Sequence, residues 1–186
     1  MKGTTRLDTY SNGWYKKQVG ASSLKQAAWY FTNVLFFNNG LFPFSSFKVF
    51  WLKAFGAKMG KGVNIKPSVN IKYPWKLFVG DYCWIGEKVW IDNLADVRIG
   101  AHTCLSQGAM LLTGNHDFTK QGFDLVVKEI TLGEGVWIGA QALVCPGVEA
   151  GSHAVLAACS VATKNLEAYT VYQGNPAVAV KERVIG

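Results

Sequence analysis

The stretch Val79-Gly80-Asp81-Tyr82-Cys83-Trp84-Ile85-Gly86-Glu87-Lys88-Val89-Trp90-Ile91 writes one six-residue pattern twice: an aliphatic residue, a glycine beside it, and a small or β-branched residue four places on. Outward from it, the aliphatic position recurs at Ile99, Leu105, Leu111, Leu132, Ile138, Val144, Ala150, Leu156 and Ala162. The second column runs through Cys83, Val89, Ala95, Thr103, Ala109, Val136, Ala142, Val148, Ala154 and Ser160, and glycine follows the aliphatic residue at Gly80, Gly86, Gly100, Gly133, Gly139 and Gly151. A helix needs a period near 3.6 and an ordinary strand a period of 2, so a fixed period of six fits neither. It fits a parallel β-helix, in which each six-residue side is a short strand plus a corner. The aliphatic column fills the interior, stacked coils bury each other's faces, and the glycines are expected to supply positive φ at the corners.

Two interruptions mark the repeat. Ile91 to Ile99 is longer than one repeat, which predicts a bulge at Leu94-Ala95-Asp96, and residues 117–129 break the pattern and predict a loop thrown out from the coil. The chain therefore divides into an N-terminal arm and helical extension over residues 1–60, a repeat domain over 61–168 carrying that excursion, and a tail over 169–186. Within the extension, residues 1–20 read as a loosely held polar arm. Residues 22–37 read as a helix capped by Ser22 or Ser23 and ended by Asn38-Asn39-Gly40, and a second helix starts after Pro43 and stops at Gly56. The tail reads as a turn-rich segment, Tyr172-Gln173-Gly174-Asn175-Pro176-Ala177, leading to Lys181-Glu182-Arg183.

With 186 residues and 49% hydrophobic composition the chain can form one substantial core. The net charge of +7 is unevenly divided: the first 76 residues hold twelve Lys or Arg against the single acid Asp8, together with sixteen of the twenty-five aromatic residues. Two readings of that segment stand open. It caps the open end of the solenoid, or it caps that end and also meets an anionic membrane surface, where cations and interfacial rings are favoured. Nucleic acid is not an expected partner, since no recognition motif accompanies the charge. The apolar run from Ala27 to Phe37 is too short to span a bilayer, and no secretory signal pattern opens the chain. Cys83, Cys104, Cys145 and Cys159 form no paired motif, so neither a disulfide framework nor a zinc site is expected. A cytoplasmic location is expected, peripheral to the inner face of the membrane under the second of those two readings.

Of three histidines, His102 and His153 fall inside regular repeats at outward positions, whereas His116 sits in Thr113-Gly114-Asn115-His116-Asp117, at the edge of the excursion. An imidazole of pKa about 6.5 is largely neutral at pH 7 and can accept a hydroxyl proton. Asn115 and Asp117 flank it and can orient the ring or an acceptor. A purely structural turn histidine is the alternative.

The columns and glycines from Val63 to Lys164 resemble the left-handed β-helix acyltransferases of the hexapeptide-repeat family. The resemblance implies a mainly β fold, a left-handed parallel β-helix forming a triangular prism, here with an N-terminal helical extension. Thr113 to Asp117, the following loop and Val136-Trp137-Ile138-Gly139 look like the galactoside, maltose and xenobiotic acetyltransferase branch. The span from Trp84 to Pro176, with Ile91-Asp92-Asn93 and Ser106-Gln107-Gly108, is similar to colanic acid biosynthesis acetyltransferases. This implies transfer of acetyl from acetyl-CoA to a sugar hydroxyl of an exopolysaccharide precursor, free or lipid-linked, with His116 as general base and no metal. It also implies acceptor contacts at Asp92 and Asn93, a pantetheine slot at Trp137, Ala140 and Ala158, nucleotide contacts at Thr163 and Lys164, and phosphate contacts at Lys181 and Arg183. Val178 departs from that family, which often places a basic residue there. Members are homotrimers with sites between neighbouring prisms. A soluble acetyltransferase of small glycosides or xenobiotics is the alternative; a metal hydratase on the same fold would need three converging histidines, and a noncatalytic scaffold would leave His116 without a role.

Overall fold

A computed structural model describes residues 3–186; Lys2, one of the basic residues counted above, lies outside them. The chain winds into a parallel β-solenoid with three sides. The first side stacks Lys58–Met59, Leu77–Val79, Val97–Ile99, Ile130–Leu132 and Glu149–Ala150. The second stacks Asn64–Ile65, Trp84–Ile85, Cys104–Leu105, Trp137–Ile138 and Val155–Leu156, and is completed by the antiparallel pair Thr170–Gly174 and Ala177–Glu182. The third stacks Asn70–Ile71, Trp90–Asp92, Met110–Leu112, Leu143–Val144 and Val161–Ala162. All twelve aliphatic-column residues are buried, as are nine of the ten in the second column. The exception is Ala95, which is half-buried because the lengthened side turns Asn93 and Val97 inward instead.

Register explains the interruptions. Phe78 pairs with Arg98, Arg98 with Thr131, and Thr131 with Glu149, so successive coils take 20, 33 and 18 residues. The bulge expected at Leu94-Ala95-Asp96 is present, and a matching extension at Tyr73–Lys76 lies one coil below it. The two are stapled by Asn93, whose amide accepts from the Tyr73 N–H at 2.9 Å and donates to the Tyr73 carbonyl at 2.7 Å. One coil higher on the same corner the excursion leaves, and it is an antiparallel hairpin, Gly114–Asp117 with Asp124–Val127, rather than an irregular loop.

The marker glycines do a different job from the one expected of them. None of Gly80, Gly86, Gly100, Gly133, Gly139 or Gly151 has positive φ. A Cβ at Gly80 would instead stand 2.5 Å from the Ala101 nitrogen of the next coil, and one at Gly139 2.5 Å from the Ala158 nitrogen. The positive φ falls two residues later, on Tyr82, Lys88, His102, Gln141 and His153 as well as on Gly135. His102 and His153 are thus corner residues; His102 is exposed, as its outward position predicts, and stacks on Tyr82, whereas His153 is half-buried against Tyr169.

Helices close the N-terminal end. Helix α1 (Gly13–Gln18) and a 3-10 turn at Leu7–Thr9 lie in the segment expected to be a loose arm, and Tyr15 and Val19 are buried against Leu94. Helix α2 (Ser23–Phe36) is capped by the Ser22 hydroxyl, which accepts from the Lys25 N–H. Helix α3 (Ser45–Ala54) follows the turn at Asn39. Trp29, Phe37 and Leu52 join the solenoid core, Trp29 donating its indole N–H to the Ile71 carbonyl at 2.8 Å. Lys48 reaches the Lys66 carbonyl at 2.7 Å from a fully buried position, and burial lowers its pKa to about 8. The tail is likewise more regular than its composition suggests, forming the hairpin that ends the second side.

Gly100→Ala is expected to cost about 1–3 kcal/mol, since its Cβ would meet Gly133 and Glu134 backbone atoms within 2.6 Å, while Gly40→Ala, with nothing within 4 Å, changes little. Thermal melts compare the two; equal melting temperatures would refute the close-approach account. Lys48 has its folded pKa below its unfolded value, so the unfolded chain binds more protons between about pH 8 and pH 10.5 and wild-type stability gains as pH rises through that window. Relative to Lys48→Met, the wild type should therefore gain roughly 1–3 kcal/mol from pH 8 to pH 10 in urea unfolding, and a constant difference would count against it.

Candidate active site

The hairpin that carries His116 is rooted where Thr113, fully buried, donates its hydroxyl to the Asp92 carbonyl at 3.0 Å and accepts from the Ala95 N–H at 3.0 Å. Gly114 follows because a Cβ there would meet Leu94 at 2.5 Å. His116 faces Leu125 across the hairpin, and its Nδ1 lies 2.7 Å from the Phe123 carbonyl. A carbonyl only accepts, so Nδ1 carries the proton and Nε2 keeps its lone pair. The ring stacks on Phe123 at 4.5 Å and 10°, and the Tyr10 ring lies 5.7 Å away on the N-terminal arm. The base-forming nitrogen is thereby defined by a backbone group.

Neither flanking polar residue performs that orientation. Asn115 accepts the His116 N–H through its side-chain oxygen, and Asp117 accepts from both the Thr119 N–H at 3.0 Å and the Thr119 hydroxyl at 2.5 Å. Those Thr119 bonds, hydroxyl first, hold the Asp117 carboxyl below the usual range, so it folds the tip of the hairpin as a carboxylate. Phe123, with φ of 53°, and Tyr10 were not found by sequence reasoning; the only hint was an aromatic inside a polar loop, which periodicity cannot weigh.

Asp92 pairs in register with Leu112, just below the hairpin root, and forms an ion pair with Lys72 at 2.9 Å. Asn93, its neighbour, is fully buried and its amide is committed to Tyr73, so it staples coils and presents no polar atom to an acceptor. The Tyr15 hydroxyl and the Lys76 ammonium both donate to the Leu94 carbonyl, at 2.9 and 2.6 Å, which ties the arm to this corner.

A separate groove of about 790 Å³ runs along the second side, lined by Trp137, Ala140, Ala158, Lys181 and Arg183 among others. Small residues keep its floor shallow. Trp137 is 47% exposed and donates its indole N–H to the Ser106 hydroxyl at 2.9 Å. Arg183 donates to the Gly135 and His153 carbonyls at 2.9 and 3.1 Å, which pins the tail strand to the corner and leaves other N–H groups of its guanidinium for an anion. Thr163 and Lys164 do not line this groove; they follow the Val161–Ala162 strand of the third side. Within one chain His116 and the groove lie at different corners of the prism, so the structure does not bring them together. Among the described residues, no group of three or more His, Cys, Asp or Glu side chains is placed to hold a metal.

Comparison with known proteins bears on this arrangement. No family model matches the chain. A protein of Escherichia coli strain K12 named for colanic acid biosynthesis, the acetyltransferase WcaF, is 41% identical over 165 residues, covering 89% of this chain and 91% of that protein. Among solved structures, a hexapeptide-repeat acetyltransferase of Vibrio cholerae complexed with acetyl coenzyme A superposes with a TM-score of 0.76 at 21% identity, covering 90% of this chain and 97% of that one. A maltose O-acetyltransferase of Clostridium difficile 630 gives 0.78 at 23% identity, covering 95% and 92%. The structural likenesses establish the shared fold, and the sequence identity over nearly the whole length places this chain in the family of hexapeptide-repeat acetyltransferases that includes the colanic acid biosynthesis enzymes.

Proposed function

We propose that the protein moves the acetyl group of acetyl-CoA to a hydroxyl of a sugar in an exopolysaccharide precursor, with His116 as general base. The observation that carries this reading is the His116 Nδ1 to Phe123 carbonyl contact of 2.7 Å, which leaves Nε2 as a proton acceptor on a hairpin projecting from the prism. Nε2 takes the hydroxyl proton as the oxygen attacks the thioester carbon. The tetrahedral intermediate collapses with loss of the CoA thiolate, which recovers the proton from the imidazolium. No covalent acyl-enzyme is required.

The exposed Trp137 and the small residues Ala140 and Ala158 suit the thin pantetheine arm, and Lys181 with the free donors of Arg183 suits the phosphates. Because this groove and His116 occupy different corners of one chain, a working site needs two prisms. The homotrimer expected for the family supplies them, His116 from one chain facing the groove of its neighbour. Asp92 stands on the acceptor side, its carboxylate held by Lys72.

The N-terminal helices favour a lipid-linked acceptor. Leu24, Phe31, Leu35, Leu41, Phe44 and Phe50 all lie exposed on α2, α3 and the turn between them, with Lys25 and Lys53 in the same helices. Among the described residues no helix is long and apolar enough to cross a membrane, so any contact would be peripheral.

His116→Ala should lower kcat by about a hundredfold or more, the usual contribution of a positioned base, with KM for acetyl-CoA little changed. Wild-type turnover in that variant would remove His116 from the chemistry. Co-expressing His116→Ala with Ala158→Trp, which fills the groove, should restore activity that neither variant shows alone, whereas a site made within one chain would stay inactive. Binding to vesicles containing anionic lipid should fall severalfold in a Phe31→Ser, Leu35→Ser double variant, and undiminished binding would leave the helices as a cap only.

A further inference from the structure

A second cleft, of about 560 Å³, lies between α2 and the outer face of the third side. Its floor is Asn70, Lys72, Trp90 and Asp92, and its wall includes Tyr30 and Asn38. Trp90 is 41% exposed and Tyr30 62%, so both rings keep surface open to solvent beside the cleft. Around them stand groups that both donate and accept. Asn70 accepts from Asn33 at 2.7 Å and its own NH₂ is not engaged in that bond; Lys72 and Asp92 neutralise each other at 2.9 Å.

This composition selects a ligand class. A phosphate or other strong anion would find its one nearby cation already paired. A wholly apolar ligand would strip water from amides and an ion pair without replacing their bonds. A pyranose satisfies both halves, offering a C–H face to an aromatic ring and a rim of hydroxyls to amides and carboxylate. Position adds to composition. Asp92 forms one end of the cleft, and its backbone carbonyl holds the Thr113 hydroxyl at the root of the hairpin that presents His116.

We infer that the cleft between α2 and the third side binds sugar units adjoining the one that is acetylated, so that the acceptor recognised is an oligosaccharide rather than a single sugar. This rests on the sugar-acceptor reading above. Trp90 carries one ring by stacking, Asn38 and Asn70 bond its hydroxyls, and the chain of sugars passes Asp92 toward His116. The same helix α2 turns Phe31 and Leu35 outward to solvent, so a lipid-linked acceptor could lie along one helix with its saccharide on one face and its anchor on the other.

Calorimetric titration of the whole chain with mono-, di- and tetrasaccharides, prepared by partial hydrolysis of a deacetylated exopolysaccharide, tests this without acetyl-CoA. Wild type should bind the tetrasaccharide at least about tenfold more tightly than the monosaccharide, and Trp90→Ala should narrow that ratio to about threefold or less, with Trp90→Phe retaining most of it. Equal affinities in wild type, absence of any saccharide binding, or an undiminished ratio in folded Trp90→Ala would each overturn the inference; circular dichroism checks the fold. Acetyl transfer to the same sugars separates the two readings. Length-dependent binding without transfer keeps the cleft and removes the sugar-acceptor function, whereas transfer indifferent to length keeps the function and removes the cleft.

Discussion

Everything in this molecule depends on the spacing between stacked coils. Parallel strands held by a backbone ladder lie about 4.8 Å apart, and at the corners the chain of one coil crosses even closer to the next. Gly80, Gly100 and Gly139 stand where a single carbon would sit 2.5 Å from backbone atoms of the neighbouring coil. The hexapeptide pattern is the record of that constraint. Its aliphatic member fills the prism, its glycine lets the prism close on itself, and the left-handed backbone two places later turns the corner even where the residue is Tyr82, His102 or His153.

A scaffold so uniform has little room for chemistry inside it, and its departures from uniformity gather at one corner. The extensions Tyr73–Lys76 and Asn93–Asp96 lie one above the other there, and the hairpin bearing His116 leaves one coil higher. Each departure supports the next: Asn93 binds the Tyr73 backbone, and Thr113 binds Asp92 and Ala95. The N-terminal arm completes the corner, burying Tyr15 and Val19 against Leu94 and setting Tyr10 beside His116. The result is a rigid base for a half-buried imidazole, whose tautomer is set by a backbone carbonyl rather than by a titratable partner.

The helical extension serves two surfaces at once. Its inner residues Trp29, Phe37 and Leu52 finish the solenoid core, which removes the open end that a solenoid cannot leave to water. Its outer residues remain apolar and cationic, and its flank forms the wall of the cleft above Trp90. Capping alone does not require an apolar outer face, and the exposed rings on α2 and α3 are the observation behind the proposed membrane contact.

The sequence by itself determined the six-residue repeat, the inward columns, both longer N-terminal helices and the place where the coil is interrupted, because each is a local pattern with a fixed period or cap; the three sides came from the family resemblance. It also marked His116 and the small residues of the groove through their motifs. It did not reveal the stacked extension at Tyr73–Lys76, the ordered arm with Tyr10, the commitment of Asn93 to a backbone one coil away, or the true role of the marker glycines. Nor did it reveal that the Phe123 carbonyl, and not Asp117, orients His116. Those depend on contacts between residues some 7 to more than 100 positions apart, set by coil register and hairpin pairing. Periodicity encodes which way a side chain points, but only the stacked structure decides what it meets.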